Sequence, residues 1–353
     1  MTNLSRRHLI QTASLASLMS FAGWGAGAKQ TSLPINAGAS EMSFKPGTNP
    51  VTFKSFGLDL VGDLYLPEDF DPAKTYKAIV GASPFPQVKD QIPATYGPEM
   101  AARGFIYLGF DYMGMGSSPA LPGEHMKSRY MFRLIENTWD AVSYLGTLSF
   151  VDEIYGLGVC QGGSIIASAS VTDHRIKKIV TVSGMMAADA FQWGDRGMAD
   201  QVIAAANASK QRMYETGAAD YSWPNVLDDS MTREEFNALG IPMSNDTYNY
   251  YGKDGVAGPG KVKNFTNEHI GDQSMQSLIS IGEHYADKIT QPTMVIYGPN
   301  AATAICSTNF IDRLTNNPEV RAFDEFSHVD FYWKPEAVKA SCDAAAEFFN
   351  KLS

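Results

Sequence analysis

The chain has 353 residues and a formal net charge of −10, and 44% of its residues are hydrophobic and 19% charged. This is an ordinary composition for a globular protein, and the length allows one large domain or two small ones. The acidic balance argues against a nucleic-acid-binding protein and against adhesion to an anionic membrane.

The N-terminal segment has the order of an export signal. Arg6 and Arg7 precede an apolar run, and Ala-Gly-Ala follows at residues 26–28. This order is typical of a twin-arginine signal with an A-x-A cleavage site, and the apolar run is too short to span a bilayer. We therefore predict a signal peptide over residues 1–28, a linker over 29–48, recognition by the twin-arginine export machinery, and a periplasmic or secreted mature protein. A Sec signal that carries two arginines, and an uncleaved anchor, are the alternatives.

Beyond the signal, short apolar runs alternate with helical patterns. The strand pattern covers residues 51–67 (two strands), 77–83, 105–110, 154–159, 178–183, 293–298 and 320–326. The helical pattern covers residues 96–103, 130–147, 335–352 and the segment that follows residue 159. This alternation predicts an α/β fold over residues 49–353, with a mostly parallel central sheet covered by helices on both faces.

One long stretch, about residues 187–289, interrupts this alternation. It is rich in Tyr, Met and Trp and its pattern is helical and irregular. Because an aromatic, Met-rich insertion suits a substrate pocket, we interpret the stretch as a cap over the carboxyl ends of the strands. A surface excursion unrelated to function is the alternative.

The segment around Cys160 carries the first catalytic signal. The apolar run to Val159 turns at Cys160 and continues into a helical pattern, with Gly158 and Gly162 two residues to either side. A nucleophile on a sharp strand-to-helix turn needs small neighbours, because a nearby Cβ would collide there. The pattern predicts a nucleophile elbow with Cys in place of Ser, and the following helix N-terminus favours the thiolate. A buried structural cysteine is the alternative.

His328 is the best candidate for the base among six histidines. It lies directly after the last predicted strand and before the terminal helix, so it should reach the sheet edge that carries the elbow. We expect it to form a thiolate–imidazolium pair with Cys160 and later to activate water.

Two backbone N–H groups are predicted to form the oxyanion hole. One belongs to Gln161, the residue after the nucleophile. The other belongs to Phe85 in the loop after the 77–83 strand, because its neighbours Pro84 and Pro86 have no N–H.

The acid that orients the histidine is not evident. Residues 298–304, which follow the 293–298 strand, contain no carboxylate. Asp189, after the preceding strand, is our preferred candidate, and the Asn300 amide is the alternative, as in Cys-His-Asn sites. Asp330 beside the base fits a structural loop residue better.

The cysteine count adds one hypothesis. An exported protein with three cysteines has at least one thiol that is free or paired between chains. A disulfide between Cys306 and Cys342 would leave Cys160 free. We see no cluster of His, Asp and Glu with the spacing of metal ligands, and we expect no metal.

Five segments resemble the α/β-hydrolase superfamily, in particular its dienelactone-hydrolase-like branch and the bacterial YcjY-like hydrolases. They are residues 88–91 (VKDQ), 104–118 (GFIYLGFDYMGMGSS), 158–184 (from GVCQGG to VTVSG), 296–307 (IYGPNAATAICS) and 327–333 (SHVDFYW). Together they span nearly the whole predicted sheet from about residue 50, but cover the cap poorly. The resemblance implies a Cys/Ser-His-acid site, no cofactor, and hydrolysis of esters or lactones, and it supports Cys160 and His328. The chain departs from this pattern at the oxyanion loop and at Pro299, where relatives often have Glu.

The leading expectation is thus an exported hydrolase that cleaves a small-molecule ester, thioester or lactone through a Cys160 acyl-enzyme. Acyl transfer at the same site is the second reading. The third is a non-catalytic ligand-binding protein with this fold, which the missing acid favours.

Overall fold

A computed structural model of the chain describes residues 43–186, 196–222, 228–238, 244–273, 275 and 282–352. The predicted signal peptide and most of the predicted linker lie outside the described residues. No helix within the described ranges is both long and apolar enough to cross a membrane.

An eight-stranded mixed sheet forms the centre of the molecule. Its strands are β1 (Gly47–Ser55), β2 (Leu58–Leu66), β3 (Tyr76–Ala82), β4 (Ile106–Phe110), β5 (Val151–Val159), β6 (Ile176–Val182), β9 (Thr293–Tyr297) and β10 (Glu319–Ala322). Their spatial order is β1-β2-β4-β3-β5-β6-β9-β10. The β1–β2 and β2–β4 pairs are antiparallel and all the others are parallel. The predicted mostly parallel sheet is therefore confirmed.

Helices cover both faces of this sheet. Those of the sheet framework are α1 (Ile92–Ala101), α2 (Met131–Leu145), α3 (Gln161–Thr172), α7 (Ala304–Arg313), α8 (Asp330–Trp333) and α9 (Pro335–Asn350). Two apolar clusters result: α2 and α3 pack into one, and α1 and α9 pack into the other. Helix α1 begins four residues before the predicted start, because Pro93 fits the first turn of a helix and does not interrupt it.

The stretch that we predicted as a cap contributes smaller elements. The structure describes α4 (Arg196–Thr216), α5 (Arg233–Ala238), α6 (Ser244–Tyr251) and a two-stranded ribbon of β7 (Tyr221–Ser222) and β8 (His269–Ile270). Several of their side chains reach the site described below. The boundaries of the cap stay a prediction, since several parts of the stretch lie outside the described residues.

The parallel strands all point the same way, so their carboxyl ends meet at one edge. The segments that follow β3, β5, β6, β9 and β10 carry Phe85, Cys160, Ser183, Thr303 and His328 in turn. Because β5 is central, Cys160 lies in the middle of this edge, with the other four on either side. This edge is where ligands bind in open parallel sheets.

Candidate active site

Cys160 occupies a strained turn between β5 and α3. Its φ is +55° and its ψ is −122°, a conformation that L residues rarely adopt. The glycines on either side permit the turn: a Cβ on Gly158 would lie 2.1 Å from the carbonyl oxygen of Gly162, and one on Gly162 would lie 2.0 Å from that of Ala82. Strain of this kind persists only where the surroundings over-determine it, and it is concentrated at functional sites.

The Cys160 thiol is buried, and burial raises its pKa above the ordinary value. Four groups lower the pKa against this effect. Hydrogen bonding from the Tyr332 hydroxyl and from the backbone of Gln161 contributes first, then the positive charge of Arg129 and the backbone of Phe85. The two backbone groups are the predicted oxyanion-hole donors. The structure thus brings Gln161 and Phe85 to the sulfur, where a developing oxyanion would also lie.

The loop that presents Phe85 is held from two sides. On one side the Arg129 guanidinium donates to the carbonyl oxygens of Gln87 and Ser83, at 3.2 and 3.4 Å. On the other side the Tyr251 hydroxyl, from α6, accepts a 2.7 Å hydrogen bond from the Gln87 amide and donates to the Phe85 carbonyl at 3.4 Å. These contacts fix the loop and thereby the direction of the Phe85 N–H.

Arg129 is an unusual neighbour for a thiol, because it is 1% exposed and has no carboxylate partner among the described residues. Its Nε has no hydrogen-bond partner there either, and its guanidinium stacks 5.0 Å from the Tyr112 ring centre. Burial lowers the pKa of Arg129 to about 10. A positive charge of this kind stabilises negative charge that develops nearby during a reaction, because little water is present to screen it.

Hydroxyl groups surround the ring of His328. Nδ1 lies 2.6 Å from Thr303 Oγ1 and 2.9 Å from Ser183 Oγ, and Nε2 lies 2.9 Å from the Tyr332 hydroxyl. No carboxylate among the described residues hydrogen-bonds this ring. The Tyr332 hydroxyl thus contacts His328, and it also lowers the pKa of the Cys160 thiol.

These surroundings change the expected charge state of the pair. Burial lowers the pKa of His328 to about 4, and burial raises the pKa of Cys160. Both shifts disfavour charge, so the free site holds a neutral thiol and a neutral imidazole near pH 7. The thiolate–imidazolium pair that we expected from the sequence is thus disfavoured before substrate binds.

The candidates for the acid have three different outcomes. Asp189 lies outside the described residues. The Asn300 amide donates to the carbonyl oxygen of Asp324 at 3.0 Å on the surface, and does not orient His328. Asp330 accepts from the N–H of Ser327 at 2.9 Å and pairs with Lys334 at 2.8 Å, which is the structural role expected for it.

Four residues of the site were missed in the sequence: Thr303, Ser183, Tyr332 and Arg129. Thr303 lies in the segment that we searched only for carboxylates, and Ser183 directly follows a strand. Tyr332 stands four residues after His328, a spacing that brings side chains together on a helical turn. No pattern in the sequence distinguishes Arg129 from a surface arginine.

The predicted disulfide is wrong. Cys160, Cys306 and Cys342 are all buried and form no disulfide with one another. Cys306 lies in α7 and Cys342 in α9. No group of three His, Cys, Asp or Glu that could hold a metal ion occurs in the described part of the chain.

No family model matches the chain. The uncharacterized protein YcjY of Escherichia coli K12 is 25% identical over 321 residues, which cover 88% of this chain and 98% of YcjY. The Pseudomonas aeruginosa protein PA2218 is 33% identical over 146 residues, 40% of this chain and 38% of PA2218. Its crystal structure covers 87% of this chain and 94% of its own, with a TM-score of 0.69 and 22% identity.

Two further similar structures are of proteins that are named as a hydrolase and an esterase. The α/β hydrolase GrgF from Penicillium has a TM-score of 0.65 at 18% identity, covering 85% of this chain and 97% of GrgF. The esterase EaEST from Exiguobacterium antarcticum has a TM-score of 0.56 at 13% identity, covering 85% of this chain and all of EaEST. The chain has the α/β-hydrolase fold. Identities this low establish the fold and leave the chemistry to the site itself.

Proposed function

We propose that the protein is an exported hydrolase that cleaves carboxylic esters, thioesters or lactones through an acyl-enzyme on Cys160, with His328 as the base. One observation carries this proposal: Cys160 has a positive φ at the strand-to-helix turn, and its sulfur faces the backbone of Gln161 and Phe85. A structural cysteine has no need of strained backbone, nor of two N–H groups directed at its sulfur.

The reaction divides into two steps. In the first, the sulfur attacks the substrate carbonyl, its proton passes toward His328, and the carbonyl oxygen becomes an oxyanion held by the Gln161 and Phe85 N–H groups. The nearby Arg129 stabilises this charge. The leaving group then departs with the proton from His328. In the second step His328 takes a proton from water, which attacks the thioester and restores the thiol.

The structural comparisons support this reaction class without fixing the substrate. EaEST, named an esterase, shares the fold over 85% of this chain. Tyrosines from α6 and a histidine from β8 contact the site, through Tyr251 on the oxyanion loop and His269 on the Phe85 ring at 5.0 Å. We expect these residues to form the wall of the acyl pocket.

The test is a pre-steady-state burst with p-nitrophenyl acetate, followed by intact mass and peptide mapping of the quenched protein. We expect a burst of nitrophenolate and an acetyl group on the peptide that contains Cys160. Cys160→Ala should abolish both, whereas Cys342→Ala, which removes another buried free thiol, should retain them. A full burst from the Cys160→Ala protein would overturn the proposed nucleophile.

The role of His328 is tested with the same assay. His328→Ala should slow the burst by about 10²-fold or more, because general-base assistance typically contributes that much. His174→Ala, a change at an exposed histidine, should leave the burst rate unchanged. Equal rates in the two variants would contradict a base at His328.

We propose export from the N-terminal sequence alone. Arg6 and Arg7 would direct the chain to the twin-arginine machinery, and cleavage after Ala28 would leave Lys29 at the mature N-terminus. Expression in a bacterial host, fractionation and N-terminal mass analysis test this. Retention of the double variant Arg6→Lys, Arg7→Lys in the cytoplasm is expected, and its normal export would contradict the twin-arginine route.

A binding protein with this fold is the second candidate. The observation in its favour is that no carboxylate among the described residues orients His328. Such a protein would show neither burst nor adduct, yet small carboxylic esters would still raise its melting temperature.

A further inference from the structure

The contacts of Tyr332 are unusual for a tyrosine beside a catalytic histidine. Its hydroxyl lies 2.9 Å from His328 Nε2, and the two rings are 5.5 Å apart at an edge-to-face angle of 67°. The same hydroxyl is a neighbour of the Cys160 thiol and lowers its pKa. The nitrogen that would take the thiol proton is therefore occupied by a phenol.

We propose that Tyr332 carries the proton between Cys160 and His328, so that the site works as a Cys-Tyr-His relay. This inference rests on the proposed function, since it concerns the first step of that reaction. As the sulfur–carbon bond forms, the S–H bond breaks and its proton moves to the Tyr332 oxygen. In the same step the original phenol proton moves from that oxygen to Nε2 of His328. Tyrosine ends unchanged, histidine gains one proton, and the sulfur loses one.

The hydrogen bonds on either side of the tyrosine oxygen fit both ends of this transfer. Before transfer, the thiol donates to the phenol oxygen and the phenol donates to Nε2. After transfer, the imidazolium donates to the phenol oxygen. The phenol then donates to the sulfur, or to the leaving-group atom once that atom takes the sulfur's place as acceptor. The imidazolium Nδ1–H meanwhile donates to Thr303 or Ser183, which lie 2.6 and 2.9 Å away. Each heavy atom stays in place while the protons move.

The two proton movements must occur together. Burial raises the pKa of Tyr332 well above its ordinary value. A free phenolate is therefore too unstable to be an intermediate, and the phenol gains one proton as it loses the other.

The packing around Tyr332 supports a fixed relay. The ring is 3% exposed, and two tyrosines of α6 pack edge-on against it, Tyr250 at 5.4 Å and Tyr251 at 6.3 Å between ring centres. A hydroxyl held in this way keeps its distance to both partners, which proton transfer requires. Helix α6 belongs to the predicted cap, so the cap would hold the relay in place.

A double-variant cycle on the acetylation burst tests the relay. We expect Tyr332→Phe to slow the burst by about 10²-fold, as His328→Ala does, because each change breaks the same path. The double variant should be no slower than either single variant, since residues that act as one unit are not additive. Tyr107→Phe is the matched control: it removes the hydroxyl of a fully buried tyrosine in β4 that has no hydrogen-bond partner among the described residues, and it should keep the wild-type burst rate.

Two results would overturn the relay. One is a wild-type burst rate in Tyr332→Phe, and the other is a double variant slowed by the product of the two single effects. Melting temperatures of all variants, measured in parallel, identify loss of rate through loss of fold. The relay can fail while the proposed function stands, namely when the wild type bursts and Cys160→Ala does not. Failure of the proposed function is different, because then either the wild type gives no burst or Cys160→Ala keeps it.

Discussion

The two halves of the site are built by different means. The half around the proposed nucleophile, the nucleophile half, is made of backbone: a positive φ at Cys160, two glycines that admit the turn, and N–H groups of Gln161 and Phe85. The half around the proposed base, the base half, is made of side-chain hydroxyls, with Thr303 and Ser183 on one ring nitrogen of His328 and Tyr332 on the other. The first half follows the general plan of the fold, and the second departs from it.

On the proposed function, the difference fits a cysteine nucleophile. A serine hydroxyl needs a strong base, so the histidine in such sites is supported by a carboxylate that stabilises the imidazolium. A thiol ionises far more readily and depends less on this support. Hydroxyls on Nδ1 fix the orientation of the ring without adding charge, and in this site a buried cation, Arg129, supplies electrostatic stabilisation on the other side.

The largest effect on the burst rate should follow when the nucleophile is changed to serine while His328 is still hydrogen-bonded only to hydroxyls. Cys160→Ser should lower the p-nitrophenyl acetate burst rate by about 10³-fold or more, because His328 without a carboxylate is too weak a base for a serine hydroxyl. Burst kinetics measure this directly.

A second variant sharpens that experiment. Adding Thr303→Asp to Cys160→Ser places a carboxylate beside Nδ1 and should recover at least about 10-fold of the lost rate. If Cys160→Ser by itself keeps the wild-type rate, the distinction between the two halves has no catalytic meaning.

The next largest effect concerns the backbone of the nucleophile half. Gly162→Ala would bring a Cβ to 2.0 Å from the carbonyl oxygen of Ala82, which is backbone of the neighbouring strand and cannot move aside. We expect a loss of about 3 kcal/mol in the free energy of unfolding, measured by urea denaturation.

Gly146→Ala is the matched control for that loss. Its φ is −66° and the nearest atoms to its Cβ are 3.5 Å away, so the change should alter stability by less than about 1 kcal/mol. Equal stability of the two variants would mean that the elbow tolerates a larger residue than its geometry allows.

The sequence indicated the residues that the structure brings together in the nucleophile half, and it missed most of those in the base half, for physical reasons. A strained turn leaves a local signature, since the glycines that permit it stand two residues from Cys160. Phe85 could be found by elimination because both neighbours are prolines. The partners of a buried histidine come from distant segments: Ser183 is 145 positions away and Thr303 is 25. Serine and threonine are too frequent on the chain for either one to be recognised without the fold.

The order of strands and helices could also be predicted from the sequence, because strands that are buried on both faces are continuous apolar runs that end at glycines and prolines. The predicted disulfide failed because it rested on cysteine parity and compartment, which contain no information on distance. Arg129 shows the limit of residue-type reasoning, since arginine is almost never fully buried and nothing in its neighbours marks it as an exception.

Stability against pH tests the effect of burial on a histidine that, unlike His328, has no hydroxyl partner at Nδ1 among the described residues. Another histidine, His269, is 1% exposed, its Nδ1 has no partner among the described residues, and burial lowers its pKa to about 4 as well. A histidine whose pKa is lower in the folded state than in the unfolded state binds its proton preferentially after unfolding. Its contribution to stability is therefore complete above about pH 6.5 and is lost as the pH falls toward 4.

Replacing that histidine should flatten the acid side of the stability curve. Between pH 7 and 5, we expect wild type to lose about 2 kcal/mol more than His269→Gln. Asp111 acts in the opposite sense, because burial raises its pKa to about 6, but it is present in both proteins and cancels in the comparison. His174→Gln, at an exposed site, should keep the wild-type slope. Parallel curves for wild type and His269→Gln would show that folding does not lower the pKa of His269.

The smallest effect tests the base half alone. Thr303→Asp in the Cys160 protein puts a carboxylate where a hydroxyl now lies 2.6 Å from Nδ1. An opposite charge at this distance should raise the pKa of His328 and stabilise the imidazolium. The thiolate–imidazolium pair then becomes accessible at neutral pH, and alkylation of Cys160 by iodoacetamide at pH 7 should accelerate by about 10-fold.

The control for this change is Thr308→Asp, which adds the same charge one turn further along α7 and should leave the alkylation rate near that of wild type. An unchanged rate in Thr303→Asp would mean that the added carboxylate is itself protonated. In that case burial keeps every titratable group around Nδ1 uncharged. The two hydroxyls are then the partners that can contact Nδ1 at this buried edge of the sheet without carrying a charge. An accelerated rate would mean instead that one substitution is enough to convert this base half into one in which a carboxylate stabilises the imidazolium.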